Sequence, residues 1–409
     1  MPNTPARLNV ETRWAIVAAV AFMASLVLWI TAIPQLQAQT FTILVSWGRG
    51  PGGNPFGQPV VDKGGTIRGT TATGGDYGYG TVWILDNRGV MVIMHHFTNS
   101  DGAHPDGIVL DRAGKTFGTT SKGGSSGGGT LFRIKAPGDT FTTLHNFGAS
   151  GDGKTVYTGP ALDPSDDSYG ASDDGGAFGC GTVWKVTTHR IATILHSFNC
   201  GSDGGHPYVG SLHRDERGNF YGVATSGGAD KCGTLFEITL TGTFGVLHNF
   251  RGSTEGCSPT GAIAEYNGSL YGTSETGGAS RNGTVWRYTI SGSSFAVLHS
   301  FSGADGSHPL GGVACQKTKQ RGSCSANLFG TTKLGGPHNY GTVWEMSSTG
   351  EFVTLHNFAG DDDGAYPYSC PFVDTRGWLY GTAPYGGAGH GASGFGTLWQ
   401  IRKLKTHRP

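Results

Sequence analysis

An Asp-Gly phrase that recurs along the chain carries the side chains best suited to ligand chemistry. In each copy an Asp is followed by Gly and then, three positions after the Asp, by a His or Tyr that precedes Pro. Carboxylates in such loops can coordinate Ca²⁺ or accept hydrogen bonds from sugar hydroxyls. An Asp that opens a turn also accepts hydrogen bonds from its own backbone, and we expect this structural role to prevail. The candidate binding residues are Asp101, His104, Asp203, His206, Asp305, His308, Asp363 and Tyr366.

Histidines occupy a second repeated position, inside a Leu-His-Asn/Ser-Phe phrase or its Met-His-His-Phe variant. One copy of the phrase has Val45 there, and an apolar substitute indicates packing and hydrogen bonding rather than metal binding. Residues in successive repeats would also lie too far apart to share one metal, whose ligands sit about 2.0–2.3 Å away. We predict no metal site and no cofactor, with Ca²⁺ on the Asp-Gly loops as the one exception to test. The histidines are His95, His145, His196, His248, His299 and His356.

Catalytic motifs are poorly represented. Residues 123–127 match the pattern G-x-S-x-G, but no helix follows, which a nucleophile elbow requires. Adjacent acids at 166–167, 173–174 and 361–363 could supply the acid and base of glycoside chemistry. Such reactions need two carboxyls about 5–9.5 Å apart, and adjacency in sequence does not establish that distance. We expect solvated loop acids, and we keep a glycoside hydrolase or polysaccharide lyase as the alternative to a binding protein.

These residues lie in a repeat whose clearest marker is the tetrad Gly-Thr-Val/Leu-Trp/Phe. The tetrad occurs seven times, at intervals of 49, 52, 52, 50, 58 and 55 residues, and such a period marks an array of one supersecondary unit. Each unit contains four short apolar segments separated by turn residues, without helical periodicity, which predicts an antiparallel four-stranded sheet. Seven such units around an axis predict an all-β, seven-bladed β-propeller over residues 39–402.

The ends of the array predict how the ring closes. The histidine phrase that marks a fourth strand occurs six times, and the last unit stops after its third strand at 396–401. The missing strand is found at residues 41–47, so the N-terminal strand should complete the last blade and cover its edge. Because strand direction alternates within each sheet, two kinds of loop lie on one face. They are the Asp-Gly loops, which lead into the first strands, and the glycine loops between second and third strands. We call this the loop-rich face, and we expect any ligand there or in the central channel.

The N-terminal segment has the layout of an export signal. Arg7 and Arg13 precede an apolar run over 14–33, and the small residue Ala38 could mark a cleavage site. Residues 1–38 are therefore interpreted as a signal peptide, with an uncleaved signal-anchor as the alternative, and 403–409 as a basic tail. Lys plus Arg equals Asp plus Glu at 29 each, which argues against nucleic acid as a partner. A membrane is a partner only if the N-terminal segment is retained.

Seven cysteines follow the signal, an odd number that leaves at least one thiol unpaired or intermolecular. In two consecutive repeats one cysteine precedes a third strand and another follows the fourth strand paired with it, so each pair could approach bridging distance. Two more bracket an insertion in the first turn of the sixth repeat. The predicted disulfides are Cys180–Cys200, Cys232–Cys257 and Cys315–Cys324, with Cys370 left over. Free buried thiols are the alternative, because sequence cannot fix connectivity.

The order of these phrases, from Leu-His-Asn/Ser-Phe through Asp-Gly-x-x-Pro and Gly-Gly to Gly-Thr-Val/Leu-Trp/Phe, resembles the bacterial tandem repeats called GloVer, found in exported choice-of-anchor proteins. The resemblance covers residues 41–401. It implies an exported protein of the periplasm or cell surface, and it brings no assigned activity or catalytic residues. We expect a secreted or periplasmic monomer that binds a glycan or a cell-envelope protein through its loop-rich face. First candidates for ligand contact are Tyr77, Tyr79, Tyr157, Tyr208, Tyr366 and Tyr385.

Overall fold

The computed structural model describes residues 39–48, 50, 52–135, 140–208, 212–317, 324–388 and 391–403. They form seven antiparallel four-stranded sheets, the blades of a β-propeller, as predicted. The N-terminal strand is β1 (Gln39–Ser46). Blade 1 contains β2 (Val60–Val61), β3 (Ile67–Thr71), β4 (Thr81–Leu85) and β5 (Met91–His96). Blade 2 contains β6 (Ala103–Leu110), β7 (Thr116–Lys122), β8 (Thr130–Lys135) and β9 (Thr140–Asn146).

A small extra ladder, β10 (Gly153–Lys154) with β13 (Asp174–Gly175), lies beside the third blade. Blade 3 contains β11 (Ala161–Leu162), β12 (Ser168–Ser172), β14 (Thr182–Val186) and β15 (Ala192–Ser197). Blade 4 contains β16 (His213–Arg214), β17 (Phe220–Ala224), β18 (Thr234–Ile238) and β19 (Phe244–Asn249). Blade 5 contains β20 (Cys257–Tyr266), β21 (Ser269–Thr276), β22 (Thr284–Thr289) and β23 (Ser294–Ser300).

The last two blades close the ring. Blade 6 contains β24 (Ala314–Lys317), β25 (Cys324–Thr332), β26 (Thr342–Ser347) and β27 (Phe352–Asn357). Blade 7 contains β28 (Phe372–Val373), β29 (Leu379–Ala383) and β30 (Thr397–Lys403), and its fourth strand is β1. The prediction that the N-terminal strand completes the last blade is confirmed. The only helices in the described part are two single 3₁₀ turns, Ile290–Gly292 and Gly391–Ser393.

Each blade is organised around an aromatic residue of its third strand that lies over a glycine of its second strand. In blade 3, Trp184 pairs with Gly170, and a methyl group added to that glycine would overlap the indole ring. Only glycine leaves room for the ring at this position. The same aromatic position is almost completely buried in all seven blades: Trp83, Phe132, Trp184, Phe236, Trp286, Trp344 and Trp399.

On the face opposite the loop-rich face, an Asp opens the hairpin turn between the first and second strands. In the first hairpin of blade 2, Asp111 accepts hydrogen bonds from the backbone N–H groups of Ala113 and Lys115 through its Oδ1 atom. Gly114 closes the turn with a φ of 83°, a conformation that glycine adopts without strain. The Asp therefore stabilises the hairpin. The same two hydrogen bonds recur at Asp62, Asp163 and Asp374, and Asp215 accepts the bond from the residue four positions on.

The three predicted disulfides are present. Cα–Cα distances are 5.6 Å for Cys180–Cys200, 4.5 Å for Cys232–Cys257 and 5.3 Å for Cys315–Cys324. Cys370 is a buried free thiol, as expected for the leftover cysteine. Three disulfides are typical of a protein that works outside the reducing cytoplasm.

A single compact unit spans Thr40–Arg402. The predicted signal segment, 1–38, lies outside the described residues, as does all of the predicted C-terminal tail except the backbone of Lys403. Among the residues that are described, no helix has the length and apolar character needed to span a bilayer.

Candidate functional site

The connections that enter the first strands form a ring on the loop-rich face. In each connection one non-glycine residue adopts left-handed backbone geometry, with φ between 53° and 61°. Its N–H donates a hydrogen bond of 2.7–3.0 Å to a carbonyl just before the tetrad glycine of the preceding blade. This bond links every blade to its neighbour and fixes the connection. The seven residues are Asn54, His104, Thr155, His206, Ser258, His308 and Tyr366.

Two residues after this anchor, the chain reaches the central channel. The residues at this second position are Phe56, Asp106, Tyr157, Tyr208, Thr260, Leu310 and Tyr368. Five of them, all except Thr260 and Leu310, line a cavity of about 330 Å³ that receives residues from all seven blades. A cavity of this volume lies at the small end of the range typical of ligand pockets.

Five aromatic side chains contribute to the cavity wall. Tyr157 and Tyr208 meet edge to face at 4.7 Å between ring centroids. Phe56 lies in the same relation to Tyr368 at 5.2 Å and to Tyr385 at 5.9 Å. All five rings are half-buried, so part of each remains open to the cavity. Burial raises the pKa of the Tyr208 hydroxyl, which therefore stays protonated and can donate a hydrogen bond.

Asp106 is the only carboxylate among the described residues that line this cavity. Its side chain is buried, and its Oδ2 atom has no hydrogen-bond partner. Burial raises its pKa to about 7, against smaller lowering effects of the Ser121 hydroxyl and the Lys122 ammonium. Near neutral pH, Asp106 therefore exists in both protonation states and can either donate or accept a hydrogen bond.

Two more titratable side chains, those of His104 and Cys370, lie in the lining. Burial, followed by the nearby charge of Lys122, lowers the pKa of His104, which is neutral at pH 7. Cys370 is buried at the cavity wall, and burial raises the pKa of its thiol, so it is not a thiolate nucleophile. The cavity thus combines stacking surfaces with a few polar atoms.

The four predicted Asp residues of the Asp-Gly phrase contact the repeated histidines. His95 Nε2 lies 2.9 Å from Asp101 Oδ2, and the same pair recurs at 2.8–2.9 Å in blades 2 to 6. The other oxygen of Asp101 accepts a hydrogen bond from the Thr98 N–H. Burial would raise the pKa of Asp101, but these hydrogen bonds outweigh it and hold the pKa below the ordinary value. The remaining pairs are His145–Asp152, His196–Asp203, His248–Glu255, His299–Asp305 and His356–Asp363.

The histidine rings also pack between blades. His196 stacks on Phe244 of the next blade with centroids 3.6 Å apart and planes 4° apart. Equivalent stacks join His95 to Phe141, His248 to Phe295, His299 to Phe352 and His356 to Phe41. The histidines therefore have the packing and hydrogen-bonding role that we expected because the apolar Val45 occupies the equivalent position in the N-terminal strand. Their carboxylate partners hold the imidazole rings in place.

The other four predicted binding residues, His104, His206, His308 and Tyr366, are the left-handed anchors of their connections. Among all eight candidates, only His104 lines the cavity. His206 lies 3.7 Å from Asp173 and 3.8 Å from Asp174, measured from Nδ1, so these three side chains could hold a metal ion. Burial, with the adjacent charge of Asp174, raises the pKa of Asp173 to about 6.

Sequence reasoning missed Phe56, Asp106 and Tyr368, whereas Tyr157, Tyr208 and Tyr385 were among the tyrosines it selected. The missing signal was the position directly after the proline of the Asp-Gly phrase, or its equivalent, which lines the cavity in five of the seven blades. An alignment of the seven copies at this position would have shown four aromatic residues and one acid. The exposed Tyr77 and Tyr79 lie outside the cavity lining.

The sequence matches the model of the Gloeobacter/Verrucomicrobia repeat at residues 54–265, 156–325 and 253–408. No match was found among curated proteins.

Solved structures share the fold at low identity. A catalytically inactive virginiamycin B lyase from Staphylococcus aureus with quinupristin is 12% identical, with a TM-score of 0.59 over 90% of this chain and 100% of that chain. A streptogramin B lyase is 12% identical, with a TM-score of 0.55 over 90% and 98%. The extracellular domain of a one-component system from B. thetaiotaomicron is 9% identical, with a TM-score of 0.54 over 87% and 39%. These similarities establish a propeller.

Proposed function

The chain belongs to the Gloeobacter/Verrucomicrobia repeat family, and we propose that it is an exported propeller whose central channel binds a carbohydrate. The observation that carries this proposal is the aromatic wall formed by Phe56, Tyr157, Tyr208, Tyr368 and Tyr385. The C–H face of a sugar ring packs on aromatic rings, and the hydroxyls around its edge need donors and acceptors. Tyrosine hydroxyls and the Asp106 carboxyl offer both.

Export is supported by two features. The three disulfides indicate an oxidising compartment, such as the periplasm or the cell exterior. The sequence of residues 1–38 has the layout of a secretory signal. Glycans of the cell envelope or the surroundings would be within reach of such a protein.

The test is a glycan-array screen of residues 39–409 with and without chelator, followed by calorimetry on the strongest ligand. Tyr208→Ala and Tyr368→Ala should each weaken binding about fivefold, since loss of one stacking ring costs on the order of 1 kcal/mol. Chelator should have no effect, because no metal takes part in the proposed contacts.

Tyr77→Ala is the matched control, because Tyr77 is 61% exposed and lies outside the cavity lining. It should bind as tightly as the wild type. Failure of every glycan to bind would overturn the proposal and favour an envelope protein as the partner. Equal losses in Tyr77→Ala and Tyr208→Ala would move the site away from the channel.

A carbohydrate-active enzyme is the second candidate, favoured by the near-neutral pKa of Asp106, which suits a general acid. A two-carboxyl mechanism needs a second acid at the same bond, and among the described lining residues Asp106 stands alone. Mass analysis of bound glycans after prolonged incubation distinguishes the two functions. Intact ligand supports binding, and cleavage that is lost in Asp106→Asn supports the enzyme.

A further inference from the structure

The carboxyl of Asp106 is the polar group of the channel that most lacks a partner. Asp106 lines the cavity and is 9% exposed, and its buried Oδ2 atom makes no hydrogen bond. An unpaired buried polar atom destabilises the folded protein, and more strongly when it is charged. A ligand that brings a donor to this oxygen removes that penalty.

Among the described groups around Asp106, only Lys122 partly compensates its negative charge. Ser121 and Lys122 follow on β7 of the same blade, and His104 on β6 is neutral at pH 7. Tyr157 and Tyr208 face it from the next two blades and carry no charge at that pH. Lys122 is exposed and forms no ion pair with Asp106 in the described structure, so the carboxylate keeps its capacity for a cation.

The aromatic wall around the carboxyl is also suited to a cation. The faces of tyrosine and phenylalanine attract an ammonium group within about 6 Å of the ring centroid. One cavity ring already does so, because the Lys333 Nζ atom lies 4.9 Å from the centroid of Tyr368. A carboxylate set among such rings combines the two elements of an ammonium site.

From these contacts we propose that the channel selects sugars bearing a protonated amine, with the ammonium group bound by Asp106 and the adjacent rings. This inference rests on the proposed function, since it names the class of carbohydrate for the same cavity. A neutral or N-acetylated sugar would gain the stacking but would lack the ion pair.

Proton linkage gives a signature of this contact. An ammonium favours the ionised carboxylate, so Asp106 must lose its proton when the ligand binds. With a starting pKa of about 7, the ionised fraction rises about tenfold from pH 6 to pH 8, and amine affinity should rise equally. At pH 7 about half a proton should be released for each ligand bound.

The experiment compares the methyl glycoside of 6-amino-6-deoxyglucose with methyl glucoside by calorimetry, using residues 39–409. The exocyclic amine stays protonated over this pH range, as a lysine does. We expect the amine to bind at least about tenfold more tightly at pH 8, consistent with a charge-assisted hydrogen bond. The preference should fall toward pH 6.

Two variants test the residue itself. Asp106→Asn keeps the shape and removes the charge, so it should lose the amine preference and the proton release, and it should weaken binding of the amine much more than binding of methyl glucoside. Lys122→Ala removes one of two like charges near the cavity, the other being Lys333, and should tighten amine binding a few-fold, a gain that misfolding cannot produce.

The outcomes separate this inference from the proposed function. If array glycans bind but the amine gives no advantage at pH 8, the ammonium contact is overturned and the carbohydrate site stands. The ammonium contact is equally overturned if Asp106→Asn weakens binding of both sugars to the same extent. If no carbohydrate binds at any pH, the proposed function fails with it.

Discussion

His356 of blade 6 stacks on Phe41 of the N-terminal strand, with ring centroids 3.6 Å apart and planes inclined by 6°. Phe41 is also in contact with Phe358 and Trp399, at centroid distances of 6.0 and 6.1 Å. The first strand of the chain therefore completes blade 7 by backbone pairing and also contributes a ring to the junction with blade 6. Ring closure depends on side-chain packing as well as on strand pairing.

Phe41→Ala should lower the free energy of unfolding by about 2–4 kcal/mol, since it deletes a half-buried ring from this junction. The effect should be larger than that of an exposed phenylalanine such as Phe178, which is 65% exposed. Urea denaturation followed by tryptophan fluorescence gives both values. Similar losses in Phe41→Ala and Phe178→Ala would contradict a role for Phe41 in closure.

Blade 3 offers the converse experiment. Ala192 stands at the position that Phe141, Phe244 or Phe352 occupies in other blades. In the described structure, the next blade therefore offers His145 no ring at this position on which to stack. Ala192→Phe should therefore stabilise the protein by about 0.5–1.5 kcal/mol, the value of an aromatic pair. An unchanged or lower unfolding free energy would show that the stack contributes little.

The aromatic position of the third strand should tolerate the exchange of Trp for Phe. Trp184 Nε1 is buried without a hydrogen-bond partner, and blades 2 and 4 have Phe132 and Phe236 at the same position. Trp184→Phe removes the unpaired donor and should cost no more than about 1 kcal/mol. Trp184→Ala should cost about 3–5 kcal/mol because it leaves a large cavity.

Gly170→Ala checks the other half of this contact. Its methyl group would overlap the Trp184 ring, so overpacking should cost about 1–3 kcal/mol. The three variants are compared by calorimetric melting. A Trp184→Phe variant as unstable as Trp184→Ala would contradict the equivalence of the blades.

The fold was predictable because its determinants are local and occur seven times. The tetrad, the Asp-Gly turns and the fourth-strand phrase, which ends at Phe358 in blade 6 and at Trp47 in blade 7, fix strand order and closure without knowledge of distant contacts. The pairing of His95 with Asp101 was not predicted, since it depends on how a turn folds back on its strand. Asp106 was missed because Pro-Asp-Gly resembles a turn in sequence, and only the curvature of seven blades directs it into a cavity.

The His–carboxylate pairs predict sensitivity to acid. Burial lowers the pKa of His299 and outweighs the opposing effect of Asp305. The unfolded chain therefore takes up a proton near pH 6.5 that the folded protein resists, and stability present above that pH is lost as the pH falls below it. Asp101, with a lowered pKa, adds a loss of the same sign at lower pH.

The measurement is the unfolding free energy of the wild type and His299→Gln at several pH values from 7.5 to 5. The variant should be less stable at pH 7.5, and the difference should shrink as the pH falls, by at most about 1.4 kcal/mol per pH unit. Comparing the two proteins cancels the titration of other groups. A constant difference would mean that His299 carries no proton linkage.

The disulfides of blades 3 and 4 should stabilise the loop-rich face. Cys180 and Cys200 are separated by 20 residues, and removal of a bridge that closes such a loop costs about 3 kcal/mol. The double variant Cys180→Ser with Cys200→Ser should melt at a lower temperature than the wild type. Adding reductant should lower the melting temperature of the wild type more than that of the variant, and equal shifts would contradict this role.

Asp106 should reduce stability because its carboxyl is buried with an unpartnered oxygen, which is also the feature that suits it to a ligand. Its pKa is raised to about 7 in the folded protein, so the folded state holds a proton that the unfolded chain loses above about pH 4. The contribution of Asp106 to the free energy of unfolding is therefore most favourable at acid pH, and it is lost as the pH rises through 7. Asp106→Asn should stabilise the protein by on the order of 2–4 kcal/mol at pH 8 and by little at pH 4. Denaturation of both proteins at these two pH values tests this, and an equal gain at both would assign the effect to packing rather than to charge.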